Sequence, residues 1–288
     1  MREVRLRAYA KVNYALDVLR LRGDGYHEVR TVMQSISLAD EVELRRSTGG
    51  FELSTVPEEV GPLEHNTVYL TWKSLRTLTG DELPVSVTLR KKIPAGAGLG
   101  GGSADAAAVL VGLNELFGLG LRVEDLREAG AEIGADVPFC ISGGTALGEG
   151  VGEVLTRLPA PPEHRLIVAK PRMSADTGIV YCRFDEAKTE SIRAVDPVIS
   201  ALRSGNLSAL AASVGNDLRY VTAGFVPEVT ELEQMLLASG ALGASMSGSG
   251  TAVYGIFGDE EAAGIAKDRI ETPFVGDYEP VSRGVEIL

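Results

Sequence analysis

The chain has 288 residues, enough for one large domain or two of moderate size. Hydrophobic residues make up 44% and charged residues 24%, a balance that excludes a disordered tail and a fibrous repeat. Lysine and arginine number 28 against 40 aspartate and glutamate, and the net charge of −12 argues against nucleic-acid and membrane partners. An anionic ligand would have to be held locally, by backbone N–H groups or a few placed cations.

The two cysteines, Cys140 and Cys182, lie far apart and share no metal-ligand spacing. This usage suggests a reducing compartment and no disulfide framework. Three histidines are too few for a His-rich metal site. No apolar run reaches membrane-spanning length, and the sequence begins without an apolar signal core. We expect a soluble, cytoplasmic protein.

Hydrophobic periodicity predicts strands followed by helices in the first half of the chain. The predicted strands cover residues 2–21, 29–44 (with a break near 39–40) and 85–89. The predicted helices cover residues 67–78, 103–116 and 123–133. Ser103 is the expected N-cap of the second helix.

Three prolines within residues 158–163 fit neither a helix nor a central strand, so we place a domain boundary there. The two expected domains are residues 1–158 and 164–288. Beyond the boundary the predicted strands are residues 165–169 and 252–257, and the helical segments lie in 194–213, 228–239 and 259–269. Because strands and helices mix without regular alternation, we expect a two-domain α+β protein.

Glycine is over-represented, at 34 of 288 residues or about 12% against a usual level of roughly 7%. Five glycines fall within residues 96–102, between a predicted strand and a predicted helix. Glycine lets backbone N–H groups approach a ligand, and a helix start adds free donors and a positive dipole end. The sequence therefore predicts a phosphate-binding loop.

Several phosphate-binding classes do not fit this loop. Gly96, Gly98 and Gly101 satisfy the G-x-G-x-x-G pattern, but no strand ending in an acid follows about 20 residues later, as a dinucleotide fold requires. The Lys-Ser/Thr of a Walker motif and the protein-kinase segments are absent from the sequence. A flexible loop without a ligand stays open as an alternative. A second small-residue cluster at 243–251 is either a tight hairpin or a substrate-facing loop.

Phosphoryl transfer needs a cation for the moving group and often a carboxylate near the attacking hydroxyl. Lys11 and Asp136 are candidates for these roles, although in isolation a solvated strand lysine and a helix N-cap are the plainer readings. His27 follows Tyr26, a pairing that hints at a pocket for a planar base. A surface histidine is the plainer reading.

Together these segments resemble the GHMP small-molecule kinases, a family that includes galactokinase, homoserine kinase and mevalonate kinase. The loop at 94–104 is similar to the family's ATP-phosphate motif, and residues 243–250 are similar to its C-terminal glycine motif. The other matching segments, in the expected order, are Ala10-Lys-Val-Asn13, Gly23-Asp-Gly-Tyr-His27, Gly134-Ala-Asp-Val-Pro-Phe139 and Gly215-Asn-Asp-Leu218. Galactokinase's sugar-binding signature is absent.

The resemblance implies an N-terminal ribosomal S5 domain 2-like domain and a ferredoxin-like C-terminal domain. It also implies transfer of the ATP γ-phosphate to the tertiary 2-hydroxyl of a methylerythritol linked to cytidine diphosphate, on the non-mevalonate isoprenoid route. ATP is then the co-substrate, and Mg²⁺ is expected with unassigned ligands. Another GHMP kinase acting on homoserine or mevalonate, a nicotinamide oxidoreductase and a non-catalytic nucleotide-binding module are the alternatives.

The family's functional residues carry over by position. Lys11 and Asp136 match its catalytic pair, while Asn13, Tyr26, His27 and Tyr181 match contacts to the acceptor, the last three around cytosine. Asn66 and Lys91 align with adenine-side contacts. The loop residues expected to bind ATP are Pro94, Ala95, Gly96, Ala97, Gly98, Leu99, Gly100, Gly101, Gly102, Ser103 and Ala104. Some members have serine where this chain has Ala104, so Ser103 carries the only hydroxyl of the loop in this sequence.

Overall fold

A computed structural model describes residues 2–58, 62–187 and 191–288. The first half contains strands, helices and one 3-10 turn at Leu63–His65. Its strands are β1 (Glu3–Leu21), β2 (His27–Arg46), β3 (Phe51–Val56), β4 (Val85–Arg90), β5 (Thr145–Glu149) and β6 (Val154–Arg157). Its helices are α1 (Thr67–Thr79), α2 (Gly101–Phe117), α3 (Val123–Ile133) and α4 (Val137–Ser142).

The second half adds shorter strands and more helices. Its strands are β7 (Arg165–Lys170), β8 (Gly215–Asn216), β9 (Gly243–Met246), β10 (Val253–Phe257), β11 (Phe274–Tyr278) and β12 (Val285–Ile287). Its helices are α5 (Thr177–Ala187), α6 (Val195–Ser204), α7 (Leu207–Ser213), α8 (Arg219–Phe225), α9 (Glu228–Ala238) and α10 (Glu260–Arg269). This mixture confirms the α+β class.

The first sheet is built on the long antiparallel hairpin of β1 and β2. Its strand order is β12-β1-β2-β4-β3, with β5 and β8 joining β2 and β1. Val4 and Leu6 are buried while Arg5 is exposed, as alternation predicts. From residue 10 to 18 both faces of β1 are buried, so Lys11, which shares the parity of the exposed arginines, lies in the interior.

Register shifts between β1 and β2 occur on either side of Lys11, after Tyr9 and after Asn13. Such β-bulges bend a strand and re-aim its side chains. At the first shift, Ile36 and Ser37 of β2 pair instead with the chain near Pro280. β2 is continuous there, so the break predicted near residues 39–40 is a local irregularity of one strand.

Helix α2 packs on the first sheet and is buried almost all round. Its alanines 104 and 106–108 have no exposed surface, and a Cβ at Gly112 would lie 2.8 Å from Leu44 Cδ1. Small side chains therefore let the helix backbone approach the sheet closely. The helix begins at Gly101 with Gly100 as its N-cap, so the prediction of Ser103 as N-cap is wrong. Gly100 has a φ of +72°, which favours glycine at this turn.

The second sheet is antiparallel, with the order β11-β7-β10-β9. In chain order this is the fourth, first, third and second strand, which is the ferredoxin-like arrangement expected for this half. A separate core lies under it, in which Val253, Phe257, Leu236 and Ala263 are buried.

The chain returns to the first sheet twice after β7, at β8 and again at β12, and only β12 follows the completed second sheet. β12 pairs with β1 through Leu6 and Ile287, and β8 pairs with β1 in parallel through Ala15 and Gly215. The second sheet begins at β7, just beyond the proline-rich segment. The division into 1–158 and 164–288 stays a prediction, and the last ten residues contribute to the sheet of the first half.

The packing of the C-terminal segment on the first sheet should depend on the absence of a side chain at Gly284. A Cβ at this position would lie 1.8 Å from the backbone oxygen of Cys140, which cannot move aside as a flexible side chain would. We expect Gly284→Ala to lower the free energy of unfolding by about 1–3 kcal/mol in chemical denaturation. Gly264→Ala is the control, because Gly264 lies in α10 with nothing within 4 Å. It should stabilise by roughly 0.5–1 kcal/mol, and equal losses in both variants would contradict the packing argument.

Candidate active site

A cavity of about 790 Å³ opens between the two sheets. It is lined by the glycine loop, by β1 and β2, by the start of α5 and by residues 248–250. The sequence-predicted site residues that line it are Lys11, Asn13, Tyr26, His27, Asn66, Lys91, Asp136, Tyr181 and residues 94–103. Ala104 does not line it, because it is fully buried inside α2.

The glycine loop enters α2 through a backbone that favours glycine. Gly96, Gly98 and Gly100 have φ values of +57°, +72° and +72°. The first N–H groups of the 17-residue helix α2 therefore face the cavity without side chains in front of them. Free N–H donors and the positive end of a helix dipole are a suitable cradle for phosphate.

The second glycine segment is both a hairpin and a wall of the cavity. β9 and β10 pair through Met246 and Val253, and Gly248 and Gly250 face the cavity between them. A Cβ at Gly98 would lie 2.0 Å from the backbone oxygen of Ser247, so the two glycine segments are in direct backbone contact. The cluster therefore forms the hairpin, and its tip faces the cavity; contact of this segment with a substrate stays a prediction.

Ser247 ties the two glycine segments to β1. Its hydroxyl accepts from the Asn13 N–H at 3.2 Å and donates to the Gly98 carbonyl at 2.8 Å. The Lys11 N–H donates to the Leu99 carbonyl at 3.0 Å. The position of the glycine loop is thus fixed relative to the strand that carries the candidate lysine.

Lys11 and Asp136 form an ion pair in the lining of the cavity, with 3.3 Å between Nζ and Oδ2. Lys11 is 3% exposed and also donates to Asn13 Oδ1 at 2.7 Å. A buried ammonium requires such partners. Asp136 is the N-cap residue of α4, but its side chain makes no capping hydrogen bond, and that side chain is 34% exposed. Its carboxylate is therefore available to both the lysine and a ligand.

Asn13 is held rigidly beside this pair. Its Nδ2 donates to Thr31 Oγ1 at 2.7 Å, and the threonine hydroxyl donates to the Ala15 carbonyl at 2.7 Å. Tyr254 donates its hydroxyl to the Asn13 carbonyl at 2.9 Å. Because Asn13 Oδ1 faces Lys11, the asparagine orients the ammonium toward Asp136.

Aromatic residues line another part of the cavity. The ring of His27 stacks on that of Tyr181, with centroids 4.7 Å apart and planes at 26°. Burial, and to a smaller extent the carboxylate of Asp136, raise the pKa of Tyr181, so its phenol stays protonated. Tyr26 is 66% exposed at the rim.

The two residues aligned with adenine-side contacts also have structural roles. Asn66 caps α1, and its side chain accepts from the Val68 N–H at 2.9 Å. The ammonium of Lys91 donates to the carboxylates of Asp40 and Asp105. Burial lowers the pKa of Lys91, but the two carboxylates outweigh it and raise the pKa overall.

Asp105 is the most perturbed carboxyl of this group. Burial raises its pKa to about 7, against the opposing effect of Lys91. Its Oδ1 is buried and has no hydrogen-bond partner among the described residues. Sequence reasoning missed Asp105, Asp40 and Ser247 as site residues, and only the position of Asp105 within the first turns after the glycine loop could have suggested it.

The part of the chain that the structure describes contains neither a metal-binding cluster nor a membrane-spanning helix. Residues 2–58, 62–187 and 191–288 hold no group of three or more His, Cys, Asp or Glu side chains arranged to bind a metal ion. None of the described helices has both the length and the apolar character needed to cross a membrane.

Comparison with known proteins identifies the family. The family model for the GHMP kinases N terminal domain matches residues 66–144, and the model for the GHMP kinases C terminal matches residues 198–276. The chain therefore belongs to the GHMP kinases, and the resemblance seen in its motifs is confirmed. It is an enzyme of the phosphotransferase class.

Within the family, two similar proteins are named as kinases of the same cytidylated methylerythritol. The 4-diphosphocytidyl-2-C-methyl-D-erythritol kinase of Caldicellulosiruptor bescii is 41% identical over 269 residues, covering 93% of this chain and 94% of that protein. A crystal structure of a 4-(cytidine 5'-diphospho)-2C-methyl-D-erythritol kinase aligns with a TM-score of 0.79 at 31% identity, covering 96% of this chain and 98% of that one.

The fold alone does not separate this enzyme from other members of the family. The homoserine kinase of Cytophaga hutchinsonii also aligns with a TM-score of 0.79, at 22% identity, covering 100% of this chain and 98% of that one. The GHMP kinase fold is thereby confirmed, and the acceptor has to be argued from the site.

The hydroxyl of Ser247 should matter for the use of ATP. Ser247→Ala leaves the Asn13 N–H and the Gly98 carbonyl without this partner and loosens the phosphate loop. We expect kcat/KM for ATP to fall about tenfold, the scale of one or two lost buried hydrogen bonds. Ser245→Ala removes a hydroxyl from β9, the strand that ends just before Ser247, and the contact of this hydroxyl with the Met246 carbonyl is 3.5 Å. It should keep near-wild-type kinetics, and similar losses in both variants would contradict the role of Ser247.

The free energy of unfolding should depend on pH through the titration of Asp105. Its folded-state pKa of about 7 lies above the ordinary value of 3.8, so between about pH 4 and 7 the folded protein holds a proton that the unfolded chain has lost. This contribution to stability is lost as the pH rises toward 7. Asp105→Asn removes it, so urea denaturation should show the variant gaining relative to wild type from pH 5 to 7, by at most about 1.4 kcal/mol per pH unit.

The control for this titration is Glu115→Gln, which changes an exposed carboxylate on the same helix. Its difference from wild type should stay constant over the same pH range. A constant difference for Asp105→Asn as well would show that Asp105 does not titrate there.

Proposed function

We propose that this enzyme is a 4-diphosphocytidyl-2-C-methyl-D-erythritol kinase. It uses ATP to phosphorylate the 2-hydroxyl of 4-(cytidine 5'-diphospho)-2-C-methyl-D-erythritol, a step of the non-mevalonate route to isoprenoids. The observation that carries the proposal is the ion pair of Lys11 and Asp136, which lies in one cavity with a glycine loop and an aromatic pair. The names of the similar proteins support the choice of acceptor.

ATP binds with its phosphates against the N–H groups of the glycine loop and of the first turn of α2. These donors are fixed before the ligand arrives, because the loop is hydrogen-bonded to β1 and to the second glycine segment. Preorganised donors stabilise charge on the transferring group without a reorganisation cost. An acidic protein can hold a triphosphate in this way without a basic surface.

Lys11 and Asp136 act on the acceptor hydroxyl and the γ-phosphoryl group. The hydroxyl oxygen forms a bond to the γ-phosphorus while the bond to the β–γ bridging oxygen breaks and ADP leaves. Asp136 accepts the hydroxyl proton, and Lys11 orients Asp136 and balances the negative charge of the moving group. The contact of Lys11 with Asn13 keeps the ammonium in place during the transfer.

The cytidine of the acceptor occupies the aromatic end of the cavity. Tyr26, His27 and Tyr181 lie there, and Tyr26 at the rim is free to cover a base. Aromatic faces stack bases with a favourable energy of about 1–3 kcal/mol. Asp136 lies near enough to Tyr181 to influence its pKa, so the base-binding end adjoins the catalytic pair.

Mg²⁺ accompanies ATP in this proposal and neutralises phosphate charge when bound. Magnesium bound with nucleotides uses phosphate and water oxygens together with one or two protein oxygens, and the cavity fits that mode. Ser103 lines the cavity next to the loop and would hold the ion through its hydroxyl oxygen, and phosphate and water oxygens would complete its coordination. No larger acidic cluster is present among residues 2–58, 62–187 and 191–288.

The acceptor is tested by incubating the purified protein with ATP and each alcohol in turn. Mass spectrometry should detect one added phosphate on the cytidylated methylerythritol and none on homoserine or mevalonate. Phosphorylation of homoserine or mevalonate instead would assign the protein to another activity of the family. ATP binding without phosphorylation of any acceptor would make it a nucleotide-binding module.

The carboxylate of Asp136 should be needed for turnover rather than for nucleotide binding. We expect Asp136→Asn to lower kcat by about two orders of magnitude or more, since it removes the group that takes the proton. The Kd of ATP, measured by calorimetry, should change little because the glycine loop is untouched. Glu132→Gln, an exposed change on α3, should behave like the wild type. Near-wild-type turnover of Asp136→Asn would remove this residue from the mechanism.

A further inference from the structure

His27 is held from two sides by one helix. Tyr181 and Asp185 are four residues apart on α5 and so lie on the same helix face. The Tyr181 ring covers one face of the imidazole, and Asp185 Oδ1 lies 2.7 Å from His27 Nε2. The side chain of His27 is buried at 7% exposure, so its orientation is defined by these two contacts. Neither the motifs nor the proposed mechanism uses Asp185.

The contact with Asp185 fixes which nitrogen of the ring carries hydrogen. An ionised carboxylate only accepts hydrogen bonds, so Nε2 must be protonated where it meets Asp185. A neutral imidazole with hydrogen on Nε2 has an unprotonated Nδ1, which is a hydrogen-bond acceptor. Histidines that bind a metal ion commonly donate their other ring N–H to a carboxylate, which sets their tautomer. The same arrangement can set the tautomer of a histidine that binds a nucleobase.

The other ring nitrogen, Nδ1, is left open by the described contacts of His27. No described residue forms a hydrogen bond with it, and the buried polar side-chain atoms that lack a partner among described residues are Ser35 Oγ, Asp105 Oδ1 and Arg127 Nε only. Nδ1 therefore has accessible surface, and His27 lines the cavity together with Tyr181 and Asp185.

We propose that Asp185 is a specificity-determining positioning residue: it holds His27 so that Nδ1 accepts a hydrogen bond from the exocyclic amino group of cytosine. Uracil carries a carbonyl oxygen at the same position, and its lone pair would face the lone pair of Nδ1. A site built to receive one hydrogen-bond donor rejects the analogue that lacks it. This inference rests on the proposed function, since it names how that acceptor is distinguished from its uridine counterpart.

Kinetics with two acceptors test the proposal. The wild type is assayed at pH 8 with the cytidine diphosphate and the uridine diphosphate of 2-C-methylerythritol. Asp185→Asn offers an amide that can donate to Nε2, which lets the hydrogen move to Nδ1. We expect kcat/KM for the cytidine acceptor to fall about tenfold, mainly through KM, and the preference for cytidine over uridine to shrink by at least the same factor.

Glu186→Gln is the matched control, because it removes a neighbouring exposed charge from the same helix. It should keep the wild-type preference. If Asp185→Asn keeps that preference as well, or lowers kcat/KM for both acceptors by the same factor, the inference is overturned.

The tautomer itself is measured independently of activity. The chain has three histidines, so nitrogen-15 NMR of histidine-labelled protein gives few signals, and His27→Gln assigns those of His27. At pH 8 the wild type should show hydrogen on Nε2 and an unprotonated Nδ1. Asp185→Asn should populate the form with hydrogen on Nδ1. Hydrogen on Nδ1 in the wild type would overturn the inference.

The two proposals fail in different ways. A wild type that does not phosphorylate the cytidine acceptor contradicts the proposed function. A wild type that phosphorylates it, combined with an Asp185→Asn variant of unchanged base preference, leaves the function standing and removes the role of Asp185.

Discussion

The buried ammonium of Lys11 is the constraint around which the site is arranged. A cation inside a protein needs charge and hydrogen-bond partners, and here they are Asp136 and Asn13. The chain must also leave space for it. A Cβ at Gly100 would lie 3.1 Å from Lys11 Cγ, and one at Gly248 would lie 3.4 Å from its Nζ. Both glycine segments therefore leave the space that the lysine side chain occupies.

Much of this arrangement is readable from the sequence because its signals are local. The periodicity of α3 predicts the same residues, 123–133, that the helix occupies. Glycines between a strand and a helix predict the loop, and the Pro138 that follows Asp136 predicts a helix start there. The N-cap of α2 is the exception. Serine is a preferred N-cap residue, which favours Ser103 from the sequence. In the structure the left-handed backbone of Gly100 places the N-cap three residues before Ser103.

The remaining features depend on partners that are distant in sequence. Asp185 meets His27 across 158 residues, and Lys91 meets Asp40 across 51. An isolated carboxylate on a polar stretch gives no sign that it will be paired in the interior. The pairing of β8 and β12 with β1 could not be predicted from the sequence either. Strands of two and three residues are too short to show an alternating pattern.

The place of β12 has a consequence for the order in which the protein can be made. Strand β1 carries Leu6 and Ala8, and their partners Ile287 and Val285 are synthesised only after the whole of the second sheet. That edge of β1 therefore keeps its backbone groups unpaired until β12 has been made. Closure of the first sheet along the strand that carries Lys11 thus comes after synthesis of the second sheet.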